Sequence, residues 1–379
     1  MPNKAMLGYG GNTPCVEVST PDTLLIIDAG TGIVALGEEI KSRSPIEGHI
    51  LFSHTHWDHI QGFPFFVPLF SAENHFTLYG VGKVAERLRS ILKGQMERAF
   101  FPVRLEELSA QLTFVSLAVG EHPIGDILVE SEILAHPNGV LAFRLSEGER
   151  SVVYASDVEL CQPAARDKLT HFARGCDLLI ADAQYSPEEY AGGKVGWGHG
   201  TWKDAAIAAR QAGVGQLALF HHDPNRTDQQ VADFERQARE IFPDTVAARE
   251  GMVIDLSGLA KPSKAERRRQ PRANVATTAA LSTGREAAPV LARTLNLSAS
   301  GALCVMDRKF ALYDKLLVSL KFELYGEDKE ITAGGVVVRL DPSPEQSSPT
   351  SYQMAIFFSE ISPEAAAVIS EFVQTKSPS

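Results

Sequence analysis

Residues 49–59 read HILFSHTHWDH, an apolar run that leads directly into a cluster of histidines and an aspartate. The cluster has an HxHxDH pattern formed by His54, His56, Asp58 and His59. Imidazole nitrogen and carboxylate oxygen are ligands that suit zinc, manganese or iron. The run ILFS predicts a buried strand, so these donors lie where the chain leaves a sheet. The stretch therefore predicts a metal site at a sheet edge, and we call residues 54–59 the metal motif.

Three more donors follow apolar runs elsewhere in the chain: His136 after ILVESEILA, Asp157 after SVVYAS and His221 after QLALF. We expect them to converge, because the carboxyl ends of strands in an open α/β sheet meet at one edge. Five histidines and two carboxylates are too many for one metal that keeps an open position. They predict two divalent ions with a bridging carboxylate, zinc first and manganese or iron as alternatives. His222 adjoins His221, and only one of the two can face the site, for which we predict His221.

The chain has 379 residues, a length that predicts two domains. From Val16 to Leu256, short apolar runs alternate with helical patterns, which predicts a layered α/β domain over residues 1–258. Residues 259–272 are rich in lysine, arginine and proline and read as a basic linker. Residues 273–379 contain short β-type runs followed by one helical pattern, which predicts a small all-β barrel with a C-terminal helix.

Composition narrows the partners that we expect. The formal net charge is −11, and an acidic chain is a poor general binder of nucleic acid, because phosphate binding needs a basic surface. No apolar run approaches the roughly 20 residues of a membrane span, and the opening residues MPNKAML lack the apolar core of a signal peptide. The sequence thus predicts a cytoplasmic protein with no membrane and no bulk nucleic acid among its partners.

The motifs SHTHWDH, AH at His136, YASD at Asp157 and FHHDP resemble, in this order, those of the metallo-β-lactamase fold. The resemblance covers roughly residues 5–257 and is closest to the RNase Z and phosphodiesterase branch, with GGNTPCVEV, IIDAGTGI, HWDHIQGFPFF and GHGTW as further features. It implies an αββα sandwich. It also implies that His54, His56 and His136 hold one metal, that Asp58, His59 and His221 hold the other, and that Asp157 bridges them.

Two more residues acquire roles through this resemblance. His199 in GHGTW resembles the histidine that protonates the leaving oxygen in phosphodiesterases of this branch, and Asp182 in LLIADAQ resembles the acid that orients it. Proton donation to a leaving alkoxide is a task for which a positioned imidazolium is suited. The predicted catalytic residues are therefore Asp58, His199 and Asp182. The chain lacks the long basic, glycine-rich insertion with which RNase Z clamps transfer RNA, and this favours a small phosphodiester substrate.

A second pair of motifs lies near the basic linker. Arg268 and Arg272 form an RxxxR pattern, and Asn296, Ser298 and Gly301 form an NxSxxG pattern at a predicted strand end. Together they resemble the PilZ domain over roughly residues 264–376, which implies binding of cyclic di-GMP. Guanidinium groups pair with phosphates and stack on purines, and glycine permits close backbone approach. Asn296 stands where aspartate is commoner in that family.

The leading hypothesis is a metal-dependent hydrolase: a phosphodiesterase that acts on a cyclic nucleotide or other small phosphodiester and is regulated by cyclic di-GMP. One alternative is a thioester or lactone hydrolase with the same metal site, which GHGTW disfavours. Another is a non-catalytic cyclic di-GMP effector, which the complete ligand set disfavours. A homodimer is also compatible with the sequence.

Overall fold

The computed structural model describes residues 4–81, 85–137, 139–259, 277–283, 289–299, 301–306, 310–311, 314–342 and 352–376. The chain divides into two compact units between residues 267 and 268. Arg268 and Arg272 lie outside the described residues, as does the predicted linker beyond its first residue. The domain boundaries at 258 and 272 therefore stay predictions.

The first unit contains two β-sheets. The first sheet has the strand order β1-β2-β3-β4-β5, in which β1 is antiparallel to β2 and all other neighbours are parallel. Its strands are β1 Val16–Ser19, β2 Leu24–Ile27, β3 Glu47–Leu51, β4 His75–Val81 and β5 Gln111–Leu117. Strand β2 reads LLII without alternation because both of its faces are covered, as is usual in parallel sheets: Ile26 packs on the helix side, and Leu25 and Ile27 pack against the second sheet.

The second sheet has the order β12-β11-β10-β9-β8-β7-β6. Neighbours from β9 to β12 are parallel and those from β6 to β9 are antiparallel, so β7 runs in the same direction as β9. Its strands are β6 Gly120–Ile124, β7 Ile127–Leu134, β8 Val140–Glu147, β9 Arg150–Ala155, β10 Leu178–Asp182, β11 Gln216–Phe220 and β12 Thr245–Ala247.

Helices cover the outer faces of the two sheets. The helices are α1 Gly32–Ile40, α2 Trp57–Ile60, α3 Ala85–Gln95, α4 Pro163–Phe172, α5 Pro187–Ala191, α6 Trp202–Ala212 and α7 Asp228–Ile241, with 3₁₀ turns at Lys41–Arg43, Phe63–Phe65, Val67–Phe70, Leu105–Glu107 and Leu256–Gly258. One core cluster joins Ile27 of the first sheet to Phe143 of the second, so the sheets pack face to face. Separate clusters seat α1 and α3 on the first sheet, and α4, α6 and α7 on the second. The predicted αββα sandwich is confirmed.

The second unit is a closed six-stranded barrel in the order β13-β14-β15-β18-β17-β16, followed by one helix. Its elements are β13 Thr278–Ser282, β14 Val290–Ser298, β15 Gly301–Met306, β16 Lys315–Leu324, β17 Glu327–Pro342, β18 Tyr352–Glu360 and α8 Pro363–Lys376. Along β16 (KLLVSLKFEL) alternate residues are buried, the period expected of a strand with one face in a core. Phe372 of α8 stacks on Phe322 with 4.1 Å between ring centroids. The predicted barrel with a terminal helix is confirmed.

A membrane-crossing helix, which needs a long and strongly apolar segment, does not occur among the described residues.

Candidate metal centre

The carboxyl ends of five strands meet at one edge of the sandwich in the first unit. The metal motif follows β3, His136 follows β7, Asp157 follows β9, Asp182 ends β10 and His221 follows β11. The structure thus brings together all of the metal-ligand and catalytic residues that the sequence predicted in this unit. Between these positions, 20 to 76 residues of chain form the helices and strands that return each segment to the same edge, which is why the donors are scattered in the sequence.

Two glycines allow the metal motif to turn against the neighbouring loop. Gly62 N donates to Ala29 O at 2.9 Å, and Ala29 N donates to His59 O at 2.8 Å. A Cβ atom on Gly62 would lie 2.0 Å from the carbonyl oxygen of Gly30, and one on Gly30 would lie 2.3 Å from that of Asp58. Both distances are far shorter than a van der Waals contact. The GxG loop after β2 and the segment after the motif can therefore pack together only with glycine at these two positions.

The first donor set comprises His54, His56, His136 and Asp157, whose ligand atoms lie within 4.8 Å of one another. His136 Nδ1 donates to the carbonyl of Gly198 at 2.9 Å, and this leaves Nε2 as the nitrogen with a lone pair. That Nε2 lies 3.1 Å from His56 Nδ1, and His54 Nε2 lies 3.7 Å from Asp157 Oδ2. Three imidazoles and one carboxylate converge on a single point.

The second donor set comprises Asp58, His59, Asp157 and His221. His221 Nε2 lies 3.2 Å from Asp58 Oδ2 and 3.4 Å from Asp157 Oδ1. His59 Nε2 lies 3.1 Å from Asp157 Oδ1 and 3.5 Å from Asp58 Oδ2. Asp157 belongs to both sets, with Oδ1 facing the second and Oδ2 the first, an arrangement that can bridge two cations.

Three residues in or next to the donor sets have an unusual backbone conformation that orients their side chains. Asp157 and His221 have φ values of 57° each, and Asp28 has 61°. Non-glycine residues are uncommon in this left-handed conformation, which aspartate and histidine adopt more readily than most, and such residues concentrate at functional sites. Asp28 directly follows β2, His221 directly follows β11, and Asp157 follows β9 after one residue, so a sharp turn at each strand end directs the side chain into the centre.

Asp28 is a participant to which the sequence reasoning assigned no role. Fully buried, it accepts hydrogen bonds from Ser53 N and Oγ at 2.7 Å each, from Tyr154 Oη at 2.8 Å and from His59 Nδ1 at 2.8 Å. Since a carboxylate accepts, His59 carries its proton on Nδ1 and presents Nε2 to the second donor set. Its position at the end of β2, before GTG, was the signal available in the sequence.

Asp182 holds His199 beside both donor sets. The buried carboxylate accepts from His199 Nδ1 at 2.9 Å, Gly200 N at 2.8 Å and Asp157 N at 3.1 Å. A bridge between Tyr185 and Thr201 returns the GHGTW loop to the end of β10. His199 Nδ1 also lies 3.9 Å from Asp157 Oδ2. The ring is therefore fixed through Nδ1, and Nε2 remains as the nitrogen that can exchange a proton with a bound molecule.

The centre favours positive charge strongly. Burial alone would lower the pKa of His221, but the charge of Asp157 and the hydrogen bond to Asp58 raise it to about 9. Burial likewise opposes protonation of His59, yet Asp28 and Asp157 raise its pKa well above the usual value. Asp157 is held well below its usual pKa by His221 and His59, in spite of burial. These carboxylates draw positive charge to the place where the two donor sets meet.

The first donor set is electrostatically different. Burial lowers the pKa of His54 to about 3, with His59 lowering it further, and burial also lowers the pKa of His136. Both imidazoles are therefore neutral at neutral pH, the form in which histidine ligates a metal.

Buried nitrogen atoms supply a direct test of whether the residues fit a metal. Among the described residues, Nε2 of His54 and Nε2 of His59 are buried and make no hydrogen bond. Buried polar atoms are nearly always paired, so two buried ring nitrogens without a hydrogen bond, one in each donor set, indicate a missing partner. Imidazole and carboxylate without thiolate match divalent zinc, manganese or iron. The residues present fit two divalent ions.

His222 points away from both donor sets. Its Nε2 donates to the carbonyl of Ala248 at 3.1 Å, and burial lowers its pKa to about 4. Of the two adjacent histidines, the structure thus brings only His221 into the centre.

In the barrel, the NxSxxG residues lie at the β14–β15 hairpin. Ser298 pairs with Gly301 in the strand register, and Ser298 Oγ donates to Gly301 O at 3.2 Å. Asn296 lies at an irregularity of register after Thr294. The Oδ1 atom of Asn296 is buried and accepts no hydrogen bond from any described residue.

Comparison with known proteins matches each of the two units to a protein family. Residues 23–222 match the beta-lactamase superfamily domain, and residues 266–375 match the PilZ domain. Ribonuclease Z of Gemmatimonas aurantiaca is 26% identical over 304 residues, which are 66% of this chain and 95% of that protein. Ribonuclease Z of Bacillus subtilis is 23% identical over 257 residues, which are 55% of this chain and 80% of that protein.

Among solved structures, the metallo-beta-lactamase fold protein YhfI from Bacillus subtilis aligns with a TM-score of 0.50 at 19% identity, covering 64% of this chain and 94% of that one, a likeness of fold. The chain is thus a metal-dependent hydrolase that belongs to the beta-lactamase superfamily, with ribonuclease Z among its relatives and a PilZ domain at its C-terminal end.

Proposed function

We propose that the first unit is a two-metal phosphodiesterase for a cyclic nucleotide or another small phosphodiester, and that cyclic di-GMP at the PilZ domain regulates it. The observation that carries the proposal is the position of His199. Its Nδ1 donates to the buried carboxylate of Asp182 at 2.9 Å, and its ring lies next to two donor sets that share Asp157. A fixed proton donor beside a pair of cation sites matches the needs of phosphodiester cleavage.

The proposed division of labour follows from the geometry. His54, His56 and His136 would hold one ion, Asp58, His59 and His221 the other, with Asp157 between them. When bound, the ions would lower the pKa of water and neutralise charge that develops on phosphate. Asp58, held at a pKa of about 2 by its hydrogen bond from His221 and the charge of His59 although burial opposes this, stays ionised at every physiological pH.

His199 is the proposed general acid. Cleavage of a phosphodiester expels an alkoxide, which needs a proton to leave at neutral pH. Asp182 fixes the ring through Nδ1, so Nε2 is the atom that would deliver this proton. Asp182 does not touch the substrate in this proposal and acts as a positioning residue.

The general-acid role is tested by a pair of leaving groups. His199→Ala is expected to slow hydrolysis of a 2′,3′-cyclic nucleotide by about 10²–10⁴-fold, the usual contribution of a general acid. Hydrolysis of bis(p-nitrophenyl) phosphate should fall far less, because p-nitrophenolate leaves without a proton. Equal losses on both substrates would contradict the role, and absence of turnover by the wild-type protein with zinc or manganese would contradict a phosphodiesterase. Phenyl thioesters and a structured RNA serve as competing substrate classes.

The proposed regulation by cyclic di-GMP rests on the RxxxR and NxSxxG motifs and on the buried Oδ1 of Asn296, which accepts no hydrogen bond from any residue that the structure describes. A guanine N–H can satisfy such an acceptor, and arginine pairs with phosphate bidentately. The test is turnover of a cyclic nucleotide with and without cyclic di-GMP, on the wild type and on Arg272→Ala. A change in rate that disappears in the variant supports regulation, whereas a rate that cyclic di-GMP leaves unchanged refutes it.

A further inference from the structure

An apolar groove of about 560 Å³ lies directly beside the metal motif. Thr55 and Trp57, which alternate along the chain with the ligand-type residues of the motif, form one wall. The 3₁₀ turn after α2 and the C-terminal part of α3 with its following loop complete it. Its volume falls in the range of small-molecule sites, which is about 300–1,000 Å³. A molecule in this groove would lie next to the metal centre.

Three aromatic side chains at the groove are exposed. Trp57 has 67% of its surface exposed, Phe65 has 55% and Phe100 has 77%. A single exposed aromatic side chain is ordinary, but aromatic side chains that converge on one concave surface indicate a binding site. Phe65 is braced edge-to-face by Phe101, with ring centroids 5.2 Å apart. The groove thus offers ring surfaces to an occupant while Phe65 is held in place.

Gln95 gives the groove a polar group. It ends α3 with only 8% of its surface exposed, and its Nε2 donates to Ile60 O at 3.2 Å. This bond fixes the direction of the amide. Oε1 is buried and accepts no hydrogen bond from any described residue, which costs free energy unless a ligand supplies an N–H. The buried acceptor, in a wall of aromatic rings, is an independent indication of a ligand.

We propose that this groove binds the nucleobase of the substrate, stacked on the exposed aromatic rings with an N–H directed to Gln95 Oε1. The phosphate then lies at the metal centre. The proposal rests on the proposed phosphodiesterase function for the phosphate, and it adds the class of the organic group. A planar heterocycle uses both aromatic faces and an amide acceptor, and base–aromatic stacking is tolerant of base identity. An alkyl chain would have no use for the buried amide oxygen.

Binding measurements test the groove without requiring turnover. Calorimetry on the full chain loaded with manganese compares adenosine 5′-monophosphate, ribose 5-phosphate and octyl phosphate. We expect adenosine 5′-monophosphate to bind at least about tenfold more tightly than ribose 5-phosphate, through stacking of its base. The advantage should fall to about threefold or less in Phe65→Ala/Phe100→Ala, while ribose 5-phosphate binds as before. Both rings are exposed, so their removal leaves the core intact.

A matched control is Tyr325→Asn, which removes an exposed aromatic ring in the barrel at a residue with φ of 53°, a conformation that asparagine tolerates. It should leave all three affinities unchanged. Equal affinities for adenosine 5′-monophosphate and ribose 5-phosphate, absence of binding, or tighter binding of octyl phosphate would each overturn the groove proposal. If the base advantage holds but wild-type protein hydrolyses no phosphodiester, the groove stands and the phosphodiesterase proposal fails.

Discussion

Substitution of Asp28 gives a strong prediction, because this one buried carboxylate accepts hydrogen bonds from four donors. Oδ1 accepts from Ser53 N, and Oδ2 accepts from Ser53 Oγ, Tyr154 Oη and His59 Nδ1. In Asp28→Asn, the amide nitrogen cannot replace Oδ1, since it would face the fixed N–H of Ser53. The amide nitrogen must therefore replace Oδ2. There the hydroxyl groups of Ser53 and Tyr154 can rotate to accept from it, but the Nδ1–H of His59 would face another N–H donor. His59 then favours the opposite tautomer, with its proton on the nitrogen that should bind metal.

The magnitude follows from this tautomer. Loss of an outer partner of a metal-ligating histidine typically weakens metal affinity about 10–100-fold, which is about 1.4–2.7 kcal/mol. Loss of the charged acceptor of His59 should also lower the free energy of unfolding by about 1.5–3 kcal/mol. Calorimetric titration with zinc measures the first quantity, and thermal unfolding monitored by circular dichroism measures the second.

A control separates the tautomer from general loss of packing. Tyr154→Phe removes one donor to Asp28 but keeps the bond to His59, so it should lower stability while metal affinity changes little. A folded Asp28→Asn protein that binds zinc as tightly as the wild type would refute the reasoning.

Three further predictions test other parts of the site. Gly62→Ala should lower both the melting temperature and metal affinity, because its Cβ would lie 2.0 Å from the Gly30 carbonyl oxygen; an unchanged melting curve would show that the loops can separate freely. His222 should titrate near pH 4 in histidine NMR spectra rather than near 6.5. Because the folded-state pKa of His222 is lowered, the stability that it contributes is present above pH 6.5 and is lost as pH falls towards 4, about 3 kcal/mol in all. A titration midpoint of His222 near pH 6.5 would be incompatible with this. Treatment with a chelator should lower the melting temperature of the first unit and abolish hydrolysis, with recovery on addition of zinc or manganese; a chelator-resistant activity would contradict a metal-dependent site.

Much of this site could be predicted because its ligands follow strands. Apolar runs before His54, His136, Asp157 and His221 predicted buried strands, and the rule that sites form at the carboxyl ends of strands then brought them to one edge. The same alternation of strands and helices predicted a layered α/β domain, and the resemblance to the metallo-β-lactamase fold implied its αββα arrangement. Neither step required contacts between distant parts of the chain to be known in advance.

Other features depend on contacts that no local pattern encodes. The sequence assigned no role to Asp28, because that role appears only when Tyr154, distant in sequence, is packed over it. Strands β1, β6 and β12 are short or partly exposed and gain their stability from neighbouring strands, so local apolar runs mark them only weakly. The groove beside the metal motif likewise arises from the packing of α3 against it, and Gln95 is an ordinary surface-type residue in the sequence.

The central claim is a centre for two divalent ions bridged by Asp157, and the metal content of the purified chain tests it most directly. Elemental analysis after dialysis against zinc or manganese should find two ions per chain in the wild type. Asp157→Ala, which removes the residue common to both donor sets, should retain one ion or fewer while Tyr325→Asn retains two. Fewer than one ion in the wild type, or two ions undiminished in Asp157→Ala, would contradict the account.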